Sequence, residues 1–332
     1  MNLRRKAVVM LGDINVDNIW PVPSIPQPGR DGLVDSVKIE IGGAILNSTI
    51  VLDRLGEQTT LLGCVGEDMW ADYIRQALTK THINLHGLQT TSAANTGLDF
   101  ILVTPDGERT MFGYRGANKL LVPELIDASI FKEAGLMHIS GYALLEPPQS
   151  NAVLRAVALA AERDIPVSID TGLEPVMRNK DVFLEILPAV AICISGVAEV
   201  DHLLGARSSQ EAAEKLVAVG VNLAAIKMGK DGSLLMRKDT SVYCPPFKVN
   251  SIDTTGAGDA YSAGILYGYQ QGLSLAAVGM LASALGALAT TVDGAGFALP
   301  GKEELVHFLK ETQWPETENI EKIRTEISAH FN

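Results

Sequence analysis

Paired cysteines are missing from this chain. Its 332 residues include only three, Cys64, Cys193 and Cys244, far apart and without a CxxC spacing. That excludes a disulfide framework and a thiolate zinc site, and it points to free thiols in a reducing compartment. Positive charge is also scarce: 27 Lys and Arg against 39 Asp and Glu give a net charge of −12. Nucleic acid and anionic membrane surfaces are therefore poor partners. The only basic run, Arg4-Arg5-Lys6, reads as a solvated terminus. Aromatic residues are 5% of the chain, few for a base-stacking surface, although Trp20 and Phe112 are available. There is no internal repeat and no low-complexity linker. No leader is evident, so a cytoplasmic location is expected. The dinucleotide fingerprint GxGxxG is absent after the first apolar run, where Gly12-Asp13-Ile14-Asn15 holds one glycine. Charge is lacking from Ala260 to Val292, long enough to cross a bilayer. However, Gln270-Gln271-Gly272 interrupts the stretch, and its Ala, Gly and Ser content reads as two buried, closely packed helices.

What is present is apolar material, 47% of residues, in alternating short runs and helical stretches. Ala7–Leu11, Thr59–Val65, Gly135–Ile139, Val167–Asp170, Ala191–Ser195 and Leu223–Lys227 read as strands. Helical spacing falls over Ala44–Leu55, Asp68–Lys80, Asn151–Arg163 and Gln210–Val219. This rhythm predicts a Rossmann-like α/β/α layering around a parallel sheet, with ligands at the carboxyl ends of strands. Two stretches break the rhythm. Leu33–Ile41 alternates, and Thr96–Val103 and Arg109–Tyr114 are joined by the turn signal Thr104-Pro105-Asp106-Gly107-Glu108. With no helix between them, these strands are expected to form a small separate sheet, inserted at about 15–41 and 96–116 in a single domain spanning 1–332.

The densest chemical signal is Asp253-Thr254-Thr255-Gly256-Ala257-Gly258-Asp259-Ala260. Small residues entering a helix leave backbone N–H groups pointing outward, and the helix dipole adds positive potential, which suits a phosphate. A carboxylate beside that phosphate, Asp259, is unfavourable unless it takes a proton from an attacking hydroxyl. The bland alternative is a turn and a helix cap. Earlier in the chain, Asn15 and Asp17 follow the first strand on an expected turn. Gly42-Gly43 permits close backbone approach, and Asn47 projects from the next helix. Such carboxylates and amides can bind several hydroxyls together; the bland reading is again turn-making and capping.

The run through Tyr261-Ser262-Ala263-Gly264 resembles the C-terminal signature of the ribokinase (PfkB) family of carbohydrate and nucleoside kinases. Gly12-Asp13-Ile14-Asn15-Val16-Asp17 and Gly42-Gly43-Ala44-Ile45-Leu46-Asn47 match that family in order and spacing, from about residue 7 to residue 310. The resemblance implies a ribokinase-like fold whose small sheet is a lid that pairs two subunits into a homodimer. It implies transfer of the ATP γ-phosphoryl group to a primary hydroxyl of a free sugar or keto-sugar acid. A nucleoside kinase and a non-catalytic sugar or nucleotide sensor are the alternatives. Asp259 would be the base, with the N–H groups of Gly256, Ala257 and Gly258 as the anion hole. Asn15, Asp17, Gly42, Gly43 and Asn47 would hold the acceptor, and Arg115 in Tyr114-Arg115-Gly116 would meet a carboxylate or phosphate. Lys227-Met228-Gly229-Lys230-Asp231-Gly232 resembles the family's Thr-x-Gly-x-x-Gly turn near the nucleotide, so Lys227, Gly229, Gly232, Thr255 and Ser283 would bind ATP. Glu199 would organise Mg²⁺ through waters, and Asp253 would hold K⁺ with the carbonyls of Thr255 and the Gly294-Ala295-Gly296 turn.

Three departures from the family pattern stand out. Lys227 replaces a hydroxyl residue. Gly196 replaces the asparagine of Asn-x-x-Glu, a loss Ser195 would partly make good. Glu174 replaces a phosphate-facing arginine.

Overall fold

The computed structural model describes residues 6–105 and 109–331. The basic Arg4-Arg5 pair and Asp106-Gly107-Glu108 of the turn signal lie outside the described residues. Thirteen strands follow in chain order: β1 (Ala7–Leu11), β2 (Asn15–Pro21), β3 (Lys38–Gly42), β4 (Thr59–Gly66), β5 (Asn84–Thr91), β6 (Gly97–Val103), β7 (Arg109–Tyr114), β8 (Ala134–Ser140), β9 (Val167–Asp170), β10 (Ile192–Gly196), β11 (Leu223–Lys227), β12 (Ser233–Arg237) and β13 (Thr240–Cys244). The helices are α1 (Ala44–Arg54), α2 (Met69–Leu78), α3 (Gln149–Ala161), α4 (Leu173–Arg178), α5 (Lys180–Ile186), α6 (Val197–Leu204), α7 (Ser209–Ala218), α8 (Ala257–Gln270), α9 (Leu275–Ala289), α10 (Lys302–Glu311) and α11 (Ile320–Ala329).

Nine strands form one sheet in the order β13-β12-β11-β10-β9-β8-β1-β4-β5. The run from β11 to β5 is parallel, and β12 and β13 close one edge antiparallel. Alternate residues of the apolar strands divide between two cores. Val8 and Met10 join α1, α8 and α9 on one face, while Val9 and Leu11 join α3, α6 and α7 on the other. The uncharged segment is α8 and α9. Gly264 lets them approach until a Cβ there would stand 2.6 Å from the Ala282 Cα. Among the described residues no helix is long and apolar enough to cross a membrane. The three cysteines are free and buried.

Four strands, in the order β3-β2-β6-β7, make the small second sheet. It contains Asn15 and Asp17, which lie on strand β2 and not on the turn expected for them, because β2 gains partners on both sides. The alternating stretch from residue 33 becomes strand only at Lys38. In the large sheet the order reverses at β1, which has β8 on one side and β4 on the other. A crevice opens at the carboxyl ends of strands at such a reversal.

Candidate active site

Sheet register gathers charge on one face of the small sheet. Asp17 stands opposite Glu40 on β3 and beside Asp99 on β6. Directly paired residues share a face, so the three carboxylates form a row. Asp17 is 5% exposed, and its Oδ1 has no hydrogen-bond partner. Burial, reinforced by repulsion from Asp99, Glu40 and Asp259, pushes its carboxyl up to about 8. Its place depends on Gly42, where a methyl group would overlap the Asp17 carboxylate. Gly43, with φ of 95°, brings the chain so close that a Cβ would stand 2.5 Å from the Asp13 carbonyl oxygen.

Asn15 donates from Nδ2 to Asp99 Oδ2 at 2.7 Å and accepts at Oδ1 from Asn118 Nδ2 at 2.7 Å. Burial raises the Asp99 carboxyl, the Asn15 bond opposes this, and Asp13 adds to it. Asp99 and Asn118 were not among the sequence candidates. A charged residue inside the apolar strand Leu98-Asp99-Phe100-Ile101 was the signal for the first; Asn118, buried in the short 3₁₀ helix Gly116–Leu120, offered none.

Arg115 sits differently from its expected substrate-facing place. Its Nε and Nη2 donate to the two oxygens of Asp13 at 2.8 and 3.1 Å, Nη1 reaches Glu146 Oε1 at 3.1 Å, and Nη2 also meets the Tyr142 carbonyl at 2.9 Å. A guanidinium whose fork is already filled by a carboxylate is a brace for the Asp13 turn. Of the aromatics named as stacking candidates, Phe112 pairs with Phe100 on the row opposite the acidic one, and Trp20 packs 6.3 Å from Phe100.

Asp259 lies in the first turn of α8. Gly256 begins that helix in the left-handed region, with φ of 71°. The Asp259 Oδ2 accepts from Asn47 Nδ2 at 2.7 Å, and Asn47 Oδ1 accepts from Gly296 N at 3.0 Å. Asn47 therefore orients Asp259 and retains one amide hydrogen. Burial pushes the Asp259 carboxyl up to about 6; the Asn47 bond opposes this, Asp170 adds to it, and Lys227 opposes it.

Lys227 ends β11 and donates to both oxygens of Asp170 at 2.8 Å, while Ser262 Oγ donates to Asp170 Oδ2 at 2.8 Å. Its Nζ is 3.8 Å from where a Cβ on Gly258 would stand, beside the anion hole. Burial would lower this ammonium, but Asp170, with Glu199 and Asp259, outweighs burial and raises it, keeping the charge. Glu174 turns away to pair with Arg178 at 2.6 Å. Gly196 also has a physical reason: the Glu199 carboxylate folds over it, into the space a side chain would fill. Ser195 is engaged with Thr171 Oγ1 at 2.7 Å, so its hydroxyl does not stand in for an asparagine. Among the described residues no group of three or more His, Cys, Asp or Glu could hold a metal ion. Glu199 fits a Mg²⁺ that keeps waters and binds phosphates, and does not fit an all-protein cage.

The Asp253 loop is tightly tied. Oδ1 accepts from Thr255 N at 2.9 Å and Thr255 Oγ1 at 2.7 Å, and Oδ2 accepts from Gly294 N at 3.0 Å. Burial raises this carboxyl, but those donors and Arg109 outweigh it and hold it below the usual range. Oδ2 has that single donor. Gly229 and Gly232 have φ of 57° and 83° on the turn after β11, and Ser283 is nearly buried in α9.

Comparison with known proteins bears on this arrangement. The profile of the pfkB family of carbohydrate kinases matches residues 5–302. A ribokinase of Staphylococcus aureus is 30% identical over 260 residues, 76% of this chain and 83% of that protein. A probable fructokinase-2 of Arabidopsis thaliana is 30% identical over 319 residues, 91% of this chain and 95% of that protein. A putative ribokinase II of E. coli, solved with ATP and Mg²⁺, superposes with a TM-score of 0.82 at 23% identity, over 92% of this chain and 99% of that one.

Proposed function

The chain belongs to the pfkB family of carbohydrate kinases, and from that premise we propose that it transfers the γ-phosphoryl group of ATP to a primary hydroxyl of a free, neutral sugar. The carrying observation is the placement of Asp259. It lies at the N-terminus of α8, oriented by Asn47, with Asp17 close enough to repel it. Asp259 takes the hydroxyl proton as the oxygen attacks phosphorus. The N–H groups of Gly256, Ala257 and Gly258, with Lys227, oppose the negative charge of the transferred group. Asp17, Asn15, Asn47 and the Gly42-Gly43 backbone position the acceptor. Its hydroxyls would give Asp17 Oδ1 the donor it lacks.

The acceptor class follows from charge. Asp17, Glu40 and Asp99 line one row, opposed among the described residues only by Lys38, which pairs with Glu40 at 3.0 Å, while Arg115 is filled by Asp13. A sugar acid would bring a further carboxylate into that field, so a neutral polyol fits better than the keto-sugar acid. A nucleoside is the second reading. Tyr142, 40% exposed and tied through its carbonyl to Arg115 at 2.9 Å, offers a ring for a base.

Glu199 would hold Mg²⁺ through waters, and the ion would neutralise charge on the ATP phosphates. Asp253 Oδ2, with the carbonyls of Thr255 and the 294–296 turn, would hold K⁺ and deepen the positive potential of the hole. The small sheet would act as a lid over the acceptor, excluding water.

The test is ADP production with ATP and Mg²⁺ over ribose, fructose, 2-keto-3-deoxygluconate, adenosine, inosine and a no-acceptor control. Acceptor-dependent ADP with the neutral sugars, reduced about 10²–10⁴-fold in Asp259→Asn, is expected. A fully active Asp259→Asn would refute the mechanism, and turnover with the sugar acid alone would refute the acceptor class.

A further inference from the structure

The row that holds Asp17 crosses all four strands of the small sheet, from Glu40 through Asp17 and Asp99 to Gly113. Gly113 adds no side chain beside Asp99 Oδ1, which a Cβ there would approach to 2.9 Å. The cations nearby are spent elsewhere. Lys38 pairs with Glu40 at 3.0 Å and with Asp293 at 3.4 Å. Arg115 is held by Asp13, and Lys227, which faces Asp259 from β11, donates to Asp170 at 2.8 Å. That leaves Asp17, Asp99 and Asp259 without an ion-pair partner among the described residues. Asp99 Oδ2 and Asp259 Oδ2 each take one amide hydrogen at 2.7 Å, from Asn15 and Asn47. Asp17 Oδ1 takes none, although the residue is only 5% exposed.

Unpaired carboxylates held near one another repel, and a cation placed among them relieves the repulsion. A proton is the smallest such cation. Burial, with Asp99, Glu40 and Asp259, pushes the Asp17 carboxyl up to about 8, so it holds a proton at neutral pH. An ammonium can take that proton's place, and it brings three N–H donors to oxygens short of them. We propose that the acceptor site takes a second class of substrate besides neutral sugars: amino-deoxy sugars, whose ammonium lies against Asp17 and Asp99. The amine serves recognition only. It keeps its proton and so has no lone pair with which to attack phosphorus. The primary hydroxyl oxygen forms the new O–P bond, and Asp259 takes its proton. The bond from the γ-phosphorus to the bridging oxygen breaks, and its electron pair leaves with ADP. This inference rests on the kinase reading above.

The test measures kcat/KM with ATP and Mg²⁺ for matched pairs of acceptors: glucose and 2-amino-2-deoxyglucose, ribose and 2-amino-2-deoxyribose, fructose and 1-amino-1-deoxyfructose. At least one amino sugar is expected to exceed its neutral partner about tenfold, the worth of a charge-assisted hydrogen bond. Asp99→Asn keeps an acceptor for the Asn15 amide and removes the charge. In that variant the ratio of amino to neutral sugar should fall to about one, whatever happens to the absolute rates. Glu40→Gln is the second variant. It leaves the Lys38 ammonium without its partner in the row, so it should lower the same ratio even where Asp99→Asn fails to fold. Amino sugars used no better than their neutral partners would overturn the proposal and leave the kinase reading standing. So would a wild-type preference that persists undiminished in both variants. Turnover on neither series would remove the kinase reading and this inference with it.

Discussion

A carboxyl group raised to about 8 by burial and by three carboxylate neighbours is held at a cost whenever it ionises, and Asp17 is such a group. In the unfolded chain it titrates near its ordinary value of about 3.9. The folded state therefore binds more protons than the unfolded state between roughly pH 4 and pH 8. The stability this carboxyl contributes is fully present below pH 4 and is lost as pH rises through about 8. Melting curves of ligand-free protein should show that loss, and Asp17→Asn should lack it, standing higher than the wild type above pH 8 while binding acceptor more weakly. Superimposable pH profiles for the two proteins would contradict this. Asp259 behaves differently because it must be ionised to act. With its carboxyl at about 6, kcat/KM should rise tenfold per pH unit below that value and level off above it. A flat profile from pH 5 to 7 would assign the proton to another group. Residue chemistry was legible in sequence where a motif concentrates it, as at Asp259. It was illegible where partners come from far away. Nothing near Arg115 in the chain announces Asp13, 102 positions earlier, as its partner.

The elements show where local preference yields to pairing. Asn15 and Asp17 are turn-prone residues, and the sequence reading put them on a turn. Yet Val16 alternates with them, and β3 and β6 capture the segment as a strand with partners on both sides. Strand β5 was missed altogether: Asn84, His86 and Gly87 are weak strand formers, and only its place beside β4 at the sheet edge makes it extended. The β12–β13 hairpin escaped notice in the same way. Strands buried on both faces, such as β1, β9 and β11, carry their own apolar signal and fall at the expected residues. A further prediction belongs to the β2–β3 pair. Gly42→Ala should leave the large sheet intact but displace the Asp17 carboxylate, raising acceptor KM at least about tenfold with little change in the Kd for ADP. An unchanged acceptor KM would show that Asp17 is not an acceptor ligand.

At the scale of the molecule, the small sheet has two unlike faces. The row opposite the acidic one carries Ile39, Phe100 and Phe112, exposed by 40%, 42% and 65%. Apolar side chains at that exposure on one sheet face mark a contact surface, and we expect two lids to bury them against each other in a homodimer. Light scattering should give twice the 35.4 kDa chain mass, and Phe112→Asp should give the monomer; a monomeric wild type would leave the outer face without that role. The sequence alone determined the layering, because strand and helix periodicities reflect burial, which each segment must satisfy by itself. It also determined the chemistry of the Asp253–Asp259 run, because a helix N-terminus and its small residues are local. Only the tertiary structure decided how charges are shared: Arg115 bound to Asp13, Lys227 bound to Asp170, Asp17 in a row with Glu40 and Asp99, and Arg109 set against Asp253 and the Thr254 and Thr255 hydroxyls. A charge acts through whatever lies within a few ångströms of it, and those neighbours come from segments whose meeting no local pattern records.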